Sequence, residues 1–170
     1  MRQNARVMTC GVMVAIVGSG VMAAQISRRP AYDPEKTGTS MQVSLTAGGQ
    51  RYESSAAGEC THAPTASIYG VVSELWTAHQ SDNGKSVNLS LWQPKDGSRP
   101  MVSLTVTSGK ASHRVSTIRG AAIAGSAKTQ FEQVGKGGTF TVYAKSAEGA
   151  DIIGTIKCNA FAPHIAEGGL

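Results

Sequence analysis

Residues 85–108 read KSVNLSLWQPKDGSRPMVSLTVTS, and this stretch decides the fold class. Apolar side chains occupy every second position on both sides of a central turn, at Val87, Leu89, Leu91, Val102, Leu104 and Val106. This alternation is typical of strands that bury one face, and the sequence Pro94-Lys95-Asp96-Gly97 between them favours a turn. The stretch therefore predicts an antiparallel β-hairpin.

The same alternation recurs along the chain. Met41, Val43 and Leu45 share one face of a predicted strand, and Gly48-Gly49 then offers a tight turn into residues 51–55. A second turn is predicted at residues 81–85, because Asn-Gly readily adopts positive φ angles. A final strand pair is predicted at residues 139–145 and 151–161.

Other segments give weaker signals. Residues 58–64 are predicted as a loop from their Gly and Pro, residues 67–72 as a strand, and residues 73–79 fit either a short helical turn or a strand. Residues 112–118 are predicted as a further strand, and Phe131 is expected to begin a short one. With no convincing amphipathic helix, the pattern predicts an all-β fold, an antiparallel sandwich or barrel of about 7–9 short strands.

The first residues predict export. Arg2 and Arg6 precede an apolar run over residues 7–21, which is shorter than the roughly 20 apolar residues that span a bilayer. Small residues that fit a signal peptidase site follow, so we expect cleavage after Ala23 or Ala24. An uncleaved membrane anchor is the alternative, because an arginine pair follows the run, and contact with a membrane is expected only in that case.

The predicted organisation has four parts: a signal peptide over 1–24, a flexible leader over 25–39, a single β domain over 40–163 and a C-terminal tail over 164–170. Loss of Arg2 and Arg6 leaves 14 basic against 11 acidic residues, a formal charge of +3. The basic residues are scattered in ones and twos rather than concentrated in a stripe, so no nucleic-acid partner is expected.

The cysteines agree with export. Cys10 lies in the signal peptide, which leaves Cys60 and Cys158 as an even pair in the mature chain. An oxidising compartment would join them in a disulfide, and we predict a periplasmic or secreted protein. A redox pair is the alternative, but such pairs are usually close in sequence as C-x-x-C.

No motif for catalysis, metal or cofactor stands out. Gly84-Lys85-Ser86 resembles the end of a phosphate-binding loop, but His79 stands where that loop requires its first glycine. The four histidines are not spaced as a local zinc pair, and no G-x-S-x-G elbow is present. We predict no cofactor, no metal site and no catalytic residue, and the chain is expected not to be an enzyme.

Aromatic residues are the candidates for binding. Trp92 alternates against the apolar face of its strand and should point away from the main core, and Tyr69 or Trp76 could join it in contacting a ligand or partner. The alternative interpretation is that Trp92 covers a second apolar layer.

The leading hypothesis is an exported, non-enzymatic envelope or secreted protein that binds a protein or glycan of the cell envelope. A small carbohydrate- or ligand-binding module using the exposed aromatics is the second hypothesis, and a hydrolase with a dispersed site at His113 or His62 is the third. The plan of signal peptide, polar leader and disulfide-linked β domain resembles small bacterial envelope proteins and lipoproteins, and no site residue is inferred from that resemblance.

Overall fold

A computed structural model of the 170-residue chain describes residues 39–166. The predicted signal peptide, nearly all of the leader and the last four residues of the tail lie outside the described residues. The described part contains ten strands and no helix. The strands are β1 (Thr39–Ala47), β2 (Gln50–Ile68), β3 (Val71–Asp82), β4 (Lys85–Pro94), β5 (Met101–Ser108), β6 (Ala111–Ser116), β7 (Ser126–Val134), β8 (Gly137–Lys145), β9 (Asp151–Cys158) and β10 (Ala162–Pro163).

Nine of these strands form one continuous antiparallel sheet in the order β6-β5-β4-β3-β2-β1-β9-β8-β7. The sheet curls into a nearly closed barrel, and Ala147 of the β8–β9 turn donates a backbone hydrogen bond to the carbonyl of Arg114 on β6, at 3.4 Å. The two-residue strand β10 lies off this path and pairs in parallel with β2. The predicted all-β antiparallel fold is therefore confirmed.

The main core lies inside the barrel and follows the predicted alternation. On β4 and β5 the predicted apolar faces meet in register, with Val87 opposite Val106 and Leu89 opposite Leu104. All of these side chains are buried. The other strands of the barrel add large buried side chains, among them Met41, Leu45, Tyr52, Trp76, Phe140, Ile152 and Ile156.

β2 holds the barrel together by changing its partner halfway along its length. Residues 50–58 pair with β1, and from Glu59 onward the strand pairs with β3. Gly58 lies at the change of partner, where a Cβ would come within 2.8 Å of Met41 Sδ and 2.9 Å of the His79 carbonyl. Only glycine fits this close approach of three strands.

A buried amide ties the third strand to the other two at the same place. Gln80 on β3 is almost fully buried, and its Nε2 donates to the carbonyls of Met41 at 3.1 Å and Ala56 at 3.2 Å. Met41 and Ala56 are paired residues of β1 and β2. Gln80 therefore satisfies carbonyls of both strands just where β2 leaves β1.

The predicted disulfide is present. Cys60 follows Gly58 by two residues and is bonded to Cys158 at the end of β9, with Cα atoms 6.2 Å apart and a sequence separation of 98. Both cysteines are buried in the main core. The bond therefore joins β2 to β9, two strands that are separated in the sheet by β1.

Two sequence predictions are wrong. Residues 58–64 are not a loop but part of β2, because the proline at position 64 coincides with a β-bulge between Ala63 and Ala66, where the ladder to β3 needs no regular donor. Residues 67–72 are not one strand, because a turn at Tyr69-Gly70 divides them between β2 and β3.

Two weaker predictions are now decided. The ambiguous segment at residues 73–79 is strand, within β3. Phe131 lies inside β7 rather than at its start, since the strand already begins at Ser126. The hairpins predicted at Gly48-Gly49 and Asn83-Gly84 are confirmed, with positive φ at all four residues.

Gly154 on β9 provides a test of close strand packing. Its φ is +145°, and a Cβ there would overlap the Ser44 carbonyl oxygen and come within 2.9 Å of Leu45 Cα. We expect Gly154→Ala to lower the free energy of unfolding by roughly 2–4 kcal/mol. Gly149→Ala is the matched control, because Gly149 has φ +85° with open space around it, and it should cost only about 1 kcal/mol. Equal costs in urea unfolding would contradict the predicted steric clash.

Removal of the disulfide should cost much of the stability. The closed loop is long, so the double variant Cys60→Ala and Cys158→Ala should lose about 3–5 kcal/mol of unfolding free energy. Chemical denaturation measured with and without reductant tests this expectation. Reductant should destabilise the wild type and leave the double variant unchanged, and a wild type insensitive to reductant would count against a stabilising bond.

Candidate partner-binding cleft

The three aromatic residues predicted to contact a ligand do not share one surface. Trp76 lies inside the barrel, where only 2% of it is exposed. Its ring stacks on His62 with centroids 3.5 Å apart, and Phe131 and Phe161 contact it at 4.4 and 4.9 Å. Its indole N–H donates to Gln93 Oε1 at 3.2 Å. Trp76 is therefore a packed core residue in this structure.

Trp92 lies on the opposite, outer face of the sheet. Its cross-strand neighbour Leu75 belongs to a small second apolar cluster, whereas Leu91 and Trp76 beside them belong to the main core. The ring of Trp92 is partly buried against that second cluster, which consists of Ala63, Ala66, Leu75 and Ala166. Trp92 thus points away from the main core, as predicted, and also covers a second apolar layer.

Tyr69 occupies the turn between β2 and β3. Tyr69 has φ +53° and Gly70 has φ +75°, which is the pattern of a two-residue hairpin turn with positive φ at both positions. The side chain is 56% exposed. Its hydroxyl donates a 2.5 Å hydrogen bond to the carbonyl of Arg119 in the β6–β7 loop. The ring is therefore held in place although it is largely surrounded by solvent.

A cleft of about 640 Å³ opens beside Tyr69. This volume lies within the range of small-molecule and peptide-side-chain sites. Three connections of the barrel surround it: the β2–β3 turn, the β4–β5 loop and the β6–β7 loop. The lining residues are Ile68, Tyr69, Val71, Pro94, Asp96, Ser98, Arg99, Pro100, Met101, Thr117, Arg119, Gly125, Ser126 and Ala127. We call this the Tyr69 cleft.

Trp92 adjoins the Tyr69 cleft without lining it. Its cross-strand partner on β5 is Met101, which lines the cleft, and Pro94 two residues further along β4 lines it as well. Residues two apart on a strand share a face, so Trp92 and Pro94 lie on the same side of the sheet. The structure therefore places Trp92 beside residues that line the Tyr69 cleft, whereas Trp76 lies in the main core.

The charges of the Tyr69 cleft are two arginines and one aspartate. The carboxylate of Asp96 accepts a 2.9 Å hydrogen bond from the Ser98 backbone N–H. Hydrogen bonds from the Ser98 side chain and backbone lower the pKa of Asp96 below its ordinary value, so this carboxylate is ionised and engaged within its own loop. Within residues 39–166, neither Arg99 nor Arg119 forms an ion pair.

Sequence reasoning missed Arg99, Arg119 and Met101 as members of a site. Arg99 and Met101 come from the β4–β5 loop and the first residue of β5, whereas Arg119 follows β6. Antiparallel pairing of β5 with β6 brings them to the same end of the sheet. One local signal was available: Tyr69-Gly70 interrupts an apolar run with a glycine, which marks a possible turn. Tyrosine is not a typical turn residue, so the glycine alone did not predict the turn.

The two histidines proposed for a dispersed hydrolase site lie apart. The ring of His113 covers Gly48 at the β1–β2 turn, and that of His62 packs on Trp76. His62 Nε2 lies 3.4 Å from Glu74 Oε2 without the geometry of a hydrogen bond. Among the described side chains, no group of three or more His, Cys, Asp or Glu is arranged to hold a metal ion.

Comparisons with protein-family models, with curated proteins and with solved structures found no match to this chain. Between Thr39 and Ala166, no helix is long and apolar enough to cross a membrane.

The placement of the two tryptophans can be tested by fluorescence. The chain contains two tryptophans, so Trp92→Phe leaves only Trp76 and Trp76→Phe leaves only Trp92. Iodide should quench the buried Trp76 weakly and the partly exposed Trp92 several-fold more strongly, because quenching requires contact with solvent. Stronger quenching of Trp76 would mean that the two rings have been assigned to the wrong faces.

Proposed function

We propose that this protein is exported and acts without catalysis, by binding another macromolecule through the Tyr69 cleft. The observation that carries the proposal is the conformation of Tyr69 itself. A bulky side chain at positive φ is uncommon and costs roughly 1 kcal/mol or more. Such strain in a surface residue is a reason to consider function.

Two other tight hairpins of the barrel show which residue types are expected at such a turn when only folding stability matters. The β1–β2 turn uses Gly48-Gly49 and the β3–β4 turn uses Asn83-Gly84. Glycine and asparagine adopt positive φ at little cost. At the β2–β3 turn the chain instead places an exposed tyrosine, and tyrosine is among the residues most enriched at binding hot spots.

The surroundings of Tyr69 also favour a macromolecular partner. Arg99, like tyrosine, belongs to a residue type that concentrates in binding interfaces, and Met101 adds a flexible apolar surface. The hydroxyl bond to the Arg119 carbonyl fixes the ring before binding, which lowers the entropy cost of association. These features support binding more directly than chemistry on a substrate.

Two features support export. The N-terminal 24 residues have the pattern of a signal peptide, and the bond between Cys60 and Cys158 is of the kind that forms and persists in oxidising compartments. A periplasmic or secreted location follows as part of the proposal.

A carbohydrate- or ligand-binding module is the second candidate. An exposed tyrosine in the cleft and a tryptophan paired with Met101 of its lining favour it, since aromatic rings stack on sugars. The positions of the tryptophans count against this candidate, because Trp76 lies within the core and Trp92 is partly covered by the second apolar cluster. Only Tyr69 of the three predicted rings lines the cleft.

Site-specific photo-crosslinking in the native cell tests the proposal. A photoreactive amino acid is placed at Ser98, which is exposed in the cleft, or at Tyr143, which is exposed on β8 outside it. We expect a specific adduct from position 98 and none from position 143. Equal adducts at both positions, or none at position 98, would reject the Tyr69 cleft as the binding surface.

Tyr69→Asn separates binding from stability. Asparagine tolerates positive φ, so relief of strain should offset the lost hydroxyl bond, and the free energy of unfolding should change by less than about 1 kcal/mol. The adduct from position 98 should nevertheless fall to under about a tenth, because a hot-spot ring is gone. A variant that keeps the adduct would show that the ring does not bind.

A further inference from the structure

The charges of the Tyr69 cleft point to the chemistry of its partner. We propose that the cleft binds an acidic segment of a polypeptide, with Arg99 and Arg119 pairing to its carboxylates. The inference rests on the proposed function, since it concerns the same cleft, and it adds the class of partner.

The two guanidinium groups of the cleft have no anionic partner within the described chain. Neither Arg99 nor Arg119 lies within 4.0 Å of a carboxylate in residues 39–166. Asp96, the acidic residue that lines the cleft, is occupied by Ser98. The cleft therefore contains two arginines and one carboxylate, and that carboxylate is already hydrogen-bonded within its own loop.

The geometry of a guanidinium group matches that of a carboxylate. The guanidinium group is planar and pairs with a carboxylate through two parallel hydrogen bonds, so two arginines at one cleft favour a ligand with repeated carboxylates. The described residues 39–166 contain 11 basic and 8 acidic residues, a formal charge of +3. This excess assists the approach of an acidic partner.

The remaining lining of the cleft favours a polypeptide over an acidic glycan. Besides Tyr69, the cleft presents aliphatic and proline surface, including Val71, Pro100 and Met101. Such a surface pairs with the apolar side chains of a polypeptide, whereas a glycan would need flat aromatic faces and directed polar groups. The mixture of apolar lining and two arginines therefore matches acidic residues interspersed with apolar ones.

Two loops position the arginines. In the β4–β5 loop, Lys95 N–H donates to the Val72 carbonyl at 2.8 Å, and the Asp96 to Ser98 bond closes the turn before Arg99. On the other side, the backbone of Arg119 is held by the Tyr69 hydroxyl. Both cations thus project from tethered backbone, which favours a defined binding geometry.

The experiment extends the photo-crosslinking at Ser98. The adduct is digested with protease and the attached peptide is sequenced by mass spectrometry. We expect a peptide rich in Asp and Glu. An attached glycan, or a neutral or basic peptide, would overturn the inference.

Matched charge variants complete the test. The double variant Arg99→Gln and Arg119→Gln should reduce the adduct at least about tenfold, as expected when two interfacial charge pairs are lost. The control double variant Lys110→Gln and Lys157→Gln removes the same charge from exposed positions outside the cleft and should leave the adduct unchanged. Equal losses in both would assign the effect to net charge and overturn the inference.

A synthetic copy of the cross-linked peptide provides the binding measurement with purified protein. Fluorescence anisotropy should show binding that weakens at least about tenfold when its acidic residues are changed to their amides. If the adduct persists in the arginine variant, the acidic-partner inference fails and the proposed function stands. If wild-type protein gives no adduct at position 98, both fail.

Discussion

The change of partner within β2 is the constraint on which the rest of the fold depends. The strand pairs with β1 up to Gly58 and with β3 from Glu59, so one continuous backbone carries both halves of the barrel. Three features stabilise that crossing: the close approach of strands at Gly58, the buried amide of Gln80 on β3 and the disulfide from Cys60 to β9. Together they connect β2 with β1, β3 and β9, so a flatter sheet at this point would lose buried packing.

The same constraint creates the candidate site. β2 continues beyond the start of β1, and its second half ends in the turn that holds Tyr69. That extension carries the turn to the β6–β7 loop, where the tyrosine hydroxyl meets the Arg119 carbonyl. The rigid crossing thus supports a surface built from loops, which is a common arrangement for binding sites.

Local patterns in the sequence predicted the fold class because its hairpins are formed by neighbouring strands. The alternation at Val87, Leu89 and Leu91 and the Asn83-Gly84 turn determine their own structure. The strand through residues 58–64 and the turn at Tyr69 were missed, since the proline at position 64 lies in a β-bulge and the tyrosine adopts positive φ because of its tertiary context. The cleft was only partly predictable: Tyr69 could be named, but the approach of Arg99 and Arg119 depends on the register in which β5 pairs with β6, and no single motif marks that register.

We propose an exported β-barrel whose strand crossing is secured by the disulfide between Cys60 and Cys158. Intact-mass and non-reducing peptide mapping of the protein from fractionated native cells tests it most directly. The account predicts a chain in the extracytoplasmic fraction that lacks the residues before Ala24 or Gln25 and contains a peptide pair joined through Cys60 and Cys158. A full-length cytoplasmic chain with both thiols free would contradict it. Cys60 and the nearby His62 would then have to be considered as a metal or redox site.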